Sequence, residues 1–360
     1  MTFVAAESPF ANPYASAHLS RSVPWFILGG SLFLSFLAFV LIALATPSAG
    51  YNVAGAAVVG AIIHTVLIYV ISLLVEGARK AKDRLVTTLV CGAFLLALLP
   101  LISLLITVVA NGIPRFDIEF FTNSMRNVVG PGGGAIHAIV GTVLMTLTAT
   151  VISVPIGLLT SIYLVEYGRG PLARIITFFV DVMTGIPSIV AGLFAYSMFA
   201  LAFGPGVKLG IAGAISLAVL MIPVVVRSSE DMLKLVPNEL REASYALGVP
   251  KWLTVLKIVL PTSIAGITTG VMLAVARVIG ETAPLLVAAG FTNNVNYNLL
   301  EGRMQSLPVL VYNHYVSQGT DAQADLDRAW AGALTLILIV MVLNLVARLV
   351  ARYFAPKTGR

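Results

Sequence analysis

Charge is what this sequence has least of. Only 11% of its 360 residues are Asp, Glu, Lys or Arg, against about a quarter in an ordinary soluble domain, while 58% are apolar and the mean hydropathy is +0.97. A water-soluble chain of this length exposes too much surface to be covered by so few polar groups. Cysteine is nearly absent too: Cys91 stands alone in an apolar run, which excludes a disulfide framework and a cysteine metal site. The histidines His18, His64, His137 and His314 lack ligand spacing. There is no GxxxxGK[ST], no HExxH and no nucleophile elbow. The glycines after Gly130 follow no strand, so a dinucleotide loop fails as well. The chain is therefore not expected to be an enzyme or to hold a cofactor of its own. A net charge of +6 and a pI near 9.5 would suit nucleic acid, but the basic residues flank apolar runs instead of forming a patch. What remains is a polytopic membrane protein with the lipid bilayer as its solvent.

Eight stretches approach the about 20 apolar residues a helix requires to cross a bilayer core: 24–45, 53–75, 85–110, 136–165, 174–203, 209–226, 263–289 and 329–350. They are continuous runs, not the alternating segments of a barrel, and helices satisfy their own backbone in lipid. The expected fold class is all-α, a membrane helix bundle. Basic residues orient it. With the N-terminus inside, inner segments hold Arg21, then Arg79, Lys80, Lys82 and Arg84, then Arg169 and Arg174. They continue with Arg227, Lys234, Arg241, Lys251 and Lys257, and end with Arg348, Arg352, Lys357 and Arg360. Outer segments hold only Arg115, Arg126, Lys208, Arg303 and Arg328. Both termini are expected in the cytoplasm. Ala43-Leu44-Ala45 has the look of a signal-peptide cleavage site, but the apolar run before it exceeds the about 7–15 residues usual there, and the first span is read as retained. Residues 1–23, rich in Ala, Ser and Pro, are expected to be disordered. Two outer loops are long: 111–135, with the turn-rich Gly130-Pro131-Gly132-Gly133-Gly134, and 291–328. Within the latter, residues 307–315 form a short apolar and aromatic stretch suited either to the membrane surface or to docking on neighbouring helices.

The inner segment 227–262 is longer than a hairpin needs. In it, Asn238 is expected to cap a helix from Glu239, whose acids favour the positive end of the helix dipole. Gly248 supplies a left-handed stop and Pro250 prevents continuation. Leu240, Ala243 and Leu247 share one face, with Glu239 and Glu242 projecting elsewhere. A second short helix over 251–260 follows, with Trp252, Val255, Leu256 and Val259 on an interfacial surface and Pro261 ending it. The product is a compact cytoplasmic helical knob carried by two spans, shaped to seat in a groove of a soluble partner.

Glu242-Ala243-Ser244, then Gly248, then Ile258-Val259-Leu260-Pro261 resembles the EAA loop of ABC importer permeases, EAA-x3-G-x9-I-x-L-P, with Ser244 in place of the last alanine. The resemblance implies a coupling helix seated on an ATP-hydrolysing subunit, with Glu242, Ala243 and Gly248 as the carried-over positions. Thr184-Gly185-Ile186-Pro187-Ser188-Ile189-Val190 and Arg277-Val278-Ile279-Gly280-Glu281-Thr282-Ala283-Pro284-Leu285-Leu286 are similar to the permeases of the phosphate-specific ABC importer, the GETAPLL ending to PstA-type members. The similarity runs from about residue 85 to the C-terminus and implies the fold of a type I importer domain with about six spans. By it, the chain divides into 1–23, two additional spans and a basic loop over 24–84, the permease domain over 85–354 with its coupling loop at 227–262, and a tail at 355–360. The partners it implies are a PstC-type permease, an ATPase dimer carrying ATP and Mg, and an extracellular phosphate-binding protein. The implied location is the bacterial inner membrane.

Arg277 and Glu281 lie within the seventh apolar run. Four residues apart, they would share a face of one continuous helix. Charges at that depth cost about 2.5–3.5 kcal/mol each on insertion scales, so they are expected to be paired, hydrated or facing a cavity. Two readings stand: a pair that locks the helix in its bundle, or a substrate pathway in which Glu281 holds Arg277 until an anion competes for the guanidinium. Gly280 and Pro284 weaken the helix there. Gly266-Ile267-Thr268-Thr269-Gly270 is a candidate close contact between helices. Asp181 is read as interfacial, with Arg174 as the other possible partner. The function implied by the resemblance is phosphate permeation. An importer of sulfate or molybdate, an ion-coupled secondary transporter and a non-transporting assembly factor are the alternatives.

Overall fold

The computed structural model describes residues 19–20, 22–45 and 51–354, the side chains of 350–354 excepted. The readings for residues 1–18, Arg21 and the tail at 355–360 lie outside the described residues. Among them there is no strand, and the all-α class holds. Seven helices are long and apolar enough to cross a membrane, or eight spans when one sharply bent pair counts as one. The chain falls into two compact units, 1–105 and 106–360.

In the first unit, α1 (Val23–Ala45) and α2 (Val53–Val75) pack antiparallel. Gly60 lies against Leu32 and Ser35, and Ser35 Oγ donates to the Ala56 carbonyl at 2.6 Å. Small residues thus bring the backbones together where oil-on-oil contact gives little preference over lipid. Asn52 caps α2 through the amide of Gly55. Just past α2, Glu76 is buried and receives Nε and Nη2 of Arg84 at 2.6 and 2.9 Å, the Ser72 hydroxyl and the Leu19 amide. Arg84 belongs to α3 (Ala78–Gly112), which starts well before the predicted residue 85.

In the second unit, α8 (Gly210–Lys234) is the central helix, flanked by α5 (Ile136–Ile162) and α11 (Leu260–Val278). The core gathers Met145, Leu217, Met221, Val225, Val275 and Leu285. Gly157 of α5 sits where a Cβ would lie 2.6 Å from Val225, and Gly270 of α11 where one would lie 2.5 Å from Ser228. The predicted close contact at Gly266 and Gly270 is therefore real, and its partner is α8. Small residues at these crossings explain why three apolar helices approach so nearly.

The fifth predicted span is not one straight helix. It is α6 (Pro171–Thr184) and α7 (Ser188–Phe203), bent by 109° at Gly185-Ile186-Pro187. Pro187 withholds a backbone donor and disfavours helix in Ile186, so the ladder cannot pass. The long outer segments are also structured, the first by the short helix α4 (Ile118–Thr122). Arg115 and Arg328 both donate to carbonyls of the glycine cluster, at Gly133 and at Gly130 and Gly132. Helix α13 (Leu307–Val316) buries Leu307, Val309 and Leu310 and packs against α14 (Ala322–Phe354), which decides for docking over lying on a membrane surface. Between them, His314 Nδ1 and Asp325 Oδ1 lie 2.7 Å apart, and burial lowers the imidazole's pKa.

Candidate functional site

The inner knob begins as two further turns of α8, which continues to Lys234 rather than ending at 226. On those turns the buried Glu230 accepts from Arg227 at 2.8 Å and Lys234 at 2.7 Å. Arg227 also pairs with Asp181 of α6. Asp181 is exposed, as the interfacial reading has it, but it has a partner on another helix, and that partner is not Arg174.

The next helix, α9 (Asn238–Ala246), has Pro237 at its N-cap position with no side-chain capping bond, and Asn238 is its first residue, accepting from Arg241 at 3.3 Å instead of capping. Its C-terminus closes as expected. Gly248 has φ +74°, its amide reaches the Tyr245 carbonyl at 2.9 Å, and the Val249 amide reaches that of Ser244 at 3.2 Å. That double closure is the Schellman arrangement, which requires a left-handed residue at the Gly248 position. The Leu240, Ala243 and Leu247 face points outward, with Leu247 83% exposed, and Tyr245 is exposed beside it. An apolar face left bare on a short helix is the kind of surface that a partner covers. Ser244 is the buried member of the helix, and its hydroxyl lies 2.8 Å from that of Thr254.

After the knob, α10 (Lys251–Thr254) runs through a widened π turn, Val255–Val259, straight into α11. Pro261 does not end a helix, as the sequence suggested, but sits in the first turn of α11, where its missing donor is tolerated. The π turn absorbs the register change this requires. Val255 and Val259 are buried in the core and only Trp252 and Leu256 face outward, which corrects the four-residue interfacial surface.

The seventh span departs from expectation where its charges lie. Helix α11 ends at Val278, residues 279–282 form an irregular break, and α12 (Ala283–Ala288) follows. Arg277 is exposed on the last turn of α11, and Glu281 is half-buried in the break. With no continuous helix between them, the i,i+4 geometry fails. Neither side chain makes an ion pair or hydrogen bond among the described residues. The lock between Arg277 and Glu281, and an exchange of partners that starts from it, are therefore withdrawn. Pro284 packs on α7 instead, where a Cβ at Gly192 would lie 2.6 Å from its Cα.

Residues 153–360 match the family of binding-protein-dependent transport system inner membrane components. The phosphate transport system permease protein PstA 1 of Mycobacterium tuberculosis is 44% identical over 287 residues, covering 78% of this chain and 91% of that protein. The chain belongs to the PstA family of phosphate transport permeases. Its PstA relative from Yersinia pestis is 41% identical over 78% of this chain and 92% of its own length. Among solved structures, a bacterial alginate ABC transporter in complex with its pentasaccharide-bound periplasmic protein superposes with TM-score 0.56 at 13% identity, over 78% of this chain and 97% of that chain. That likeness speaks for the fold of an ABC importer transmembrane domain.

In this PstA-family chain, the knob's Glu242 and Ala243 are exposed and Gly248 shapes its end. Two groups that hold the knob escaped the sequence reading. Thr254 is paired to Ser244 across a turn, and Glu166, at the end of α5, is bound to Arg241 at 3.0 Å. The pairing of Ser244 shows that the departure from the third alanine is matched by a local partner. No local signal marks Glu166, because its partner lies 75 residues away.

Proposed function

We propose that this chain is the PstA-type permease subunit of an ATP-driven importer of inorganic phosphate. It forms the translocation pathway with a PstC-type permease. An extracellular phosphate-binding protein delivers the substrate, and an ATPase dimer, which carries the ATP and Mg, binds the α9 knob. The chain itself contributes no cofactor. Both termini face the cytoplasm of a bacterial inner membrane, the orientation that the basic residues favour.

The observation that carries this reading is the bare apolar face of α9 on a Schellman-closed helix whose residues follow the EAA pattern, in a chain of the PstA family. ATP-driven closure of the ATPase dimer draws the two permeases' knobs together and turns the pathway outward; hydrolysis reverses the motion. Within the pathway, Arg277 greets the anion. Its guanidinium is planar, permanently charged and able to hold two phosphate oxygens at once, and Glu281 does not neutralise it. A single exposed cation gives a passing contact rather than a deep well, which suits a carrier that must let go.

The test is labelled-phosphate uptake by proteoliposomes holding the four-component complex. Uptake that requires ATP and the binding protein, and resists excess sulfate and molybdate, supports the reading. Competition by either oxyanion moves the substrate assignment. Uptake by this chain alone under an ion gradient would show a secondary transporter instead.

A further inference from the structure

The helix offered to the ATPase is tied to the rest of the chain by few side chains. Among the described residues, the hydrogen bonds that α9 side chains make to other elements come from Arg241 and Ser244. Ser244 reaches only the adjoining α10. Arg241 does the rest: Nε donates to Glu166 Oε1 at 3.0 Å, Nη1 to the Val236 carbonyl at 2.6 Å and Nη2 to the Leu233 carbonyl at 2.9 Å. One planar fork thus joins α9 to the ends of both α5 and α8.

The other half of the joint is unusual on its own account. Glu166 lies in a π turn, Tyr163–Tyr167, that widens the last turn of α5. Its carboxylate is only 4% exposed, in a chain where charge is scarce and a buried carboxylate requires a partner. The backbone of the same residue is held as well. Lys251, the first residue of α10, donates to the Glu166 carbonyl while its ammonium stands 5.0 Å over the Tyr167 ring. Glu166 is therefore the point where α5, α9 and α10 meet. Isolated π turns gather at functional positions because a helix keeps such a defect only where something is gained by it.

We propose that Glu166 is a positioning residue for energy coupling: through Arg241 it fixes the knob to α5 and α8, so that displacement of α9 moves the bundle instead of being absorbed by the loop. This rests on the reading of α9 as the ATPase-docking helix. A lysine at 241 keeps the charge but cannot address a carboxylate and two carbonyls in one plane. A glutamine at 166 keeps the acceptor and loses the charge.

The experiment uses the assembled complex in proteoliposomes and reads ATP hydrolysed per phosphate imported, alongside co-purification of the ATPase. For Arg241→Lys and Glu166→Ala the ratio is expected to rise by about fivefold or more with the ATPase still bound, a coupling loss of ordinary allosteric size. Glu166→Gln should restore most of the coupling that Glu166→Ala loses. Should Glu166→Ala fail to assemble, the ratios of Arg241→Lys and Glu166→Gln decide. Uptake and hydrolysis falling together at an unchanged ratio is what a merely structural pair predicts, and it overturns the proposal. A bound ATPase with an unchanged ratio sinks this proposal alone, whereas absence of the ATPase from the unaltered chain's complex sinks the docking reading with it.

Discussion

At φ +74°, Gly248 occupies a backbone region that costs a residue with a Cβ about 1–2 kcal/mol. No atom lies within 4 Å of where that Cβ would be, so a substitution there acts through the backbone and not through a clash. Gly248→Val is expected to loosen the end of α9 and to lower phosphate imported per ATP, while Gly248→Asn, which tolerates the left-handed region, keeps more of it; the transport-to-hydrolysis ratio of the complex checks this. Arg277 is exposed and makes no hydrogen bond or ion pair among the described residues. Arg277→Ala should therefore leave assembly and thermal stability unchanged and abolish uptake, with Arg277→Lys recovering only part; normal uptake by the alanine variant would remove Arg277 from the pathway. Glu76 behaves differently. Its hydrogen bond from Arg84 is the largest influence on its carboxyl and, with further donors, lowers the pKa from 4.5 to about 2 against the opposing effect of burial. A depressed carboxyl contributes stability that is fully present above its unfolded pKa and lost as pH falls through the folded one. The melting difference between the unaltered chain and Glu76→Gln should thus be constant near neutrality and shrink from about pH 4.5 towards pH 2; a difference that ignores pH would contradict it. At this scale the sequence was informative where chemistry is local. Gly248's left-handed turn and the small residues at 266 and 270 were legible because each acts through its own backbone or its lack of a side chain. Glu166, Thr254 and the partner of Asp181 were not, since each depends on a residue brought close by the fold.

Among the elements, the close crossing of α8 and α11 gives a direct test of packing. Gly270→Leu would press a side chain into Ser228, 2.5 Å from the new Cβ, and overpacking of this kind costs about 1–3 kcal/mol. A lower melting temperature of the detergent-solubilised complex is expected, partly recovered by Ser228→Gly; an unchanged melting temperature would show that the helices part freely. Helix existence was readable for the long spans, because a run of some 20 apolar residues leaves the backbone little alternative in lipid. Helix continuity was not. A run that bends by 109° at Gly185-Ile186-Pro187 has the same apolar content as a straight one. The break after Val278 likewise hides inside an apolar stretch, and assuming a continuous helix is what joined Arg277 to Glu281 on paper. Pro261 misled in the opposite sense. Proline is a stop in a helix interior but is welcome in a first turn, and only the π turn before it tells which applies.

For the molecule as a whole, the class of protein follows from scarcity of charge, and the family from two short patterns 35 residues apart at Glu242 and Arg277. Between them the patterns mark the two ends of the proposed mechanical path: the exposed knob and a guanidinium in the broken seventh span, joined by the continuous run of α10, the π turn and α11. The proposed path needs a motor protein seated on the knob. In a Cys91→Ala background, which removes the chain's one thiol, a cysteine placed at Leu247 on the bare face of α9 can be cross-linked in the assembled transporter. It is expected to join the ATPase subunit, whereas a cysteine at Leu201, also highly exposed but at the far end of α7, is expected not to. A transporting complex in which Leu247 never captures the ATPase would contradict it.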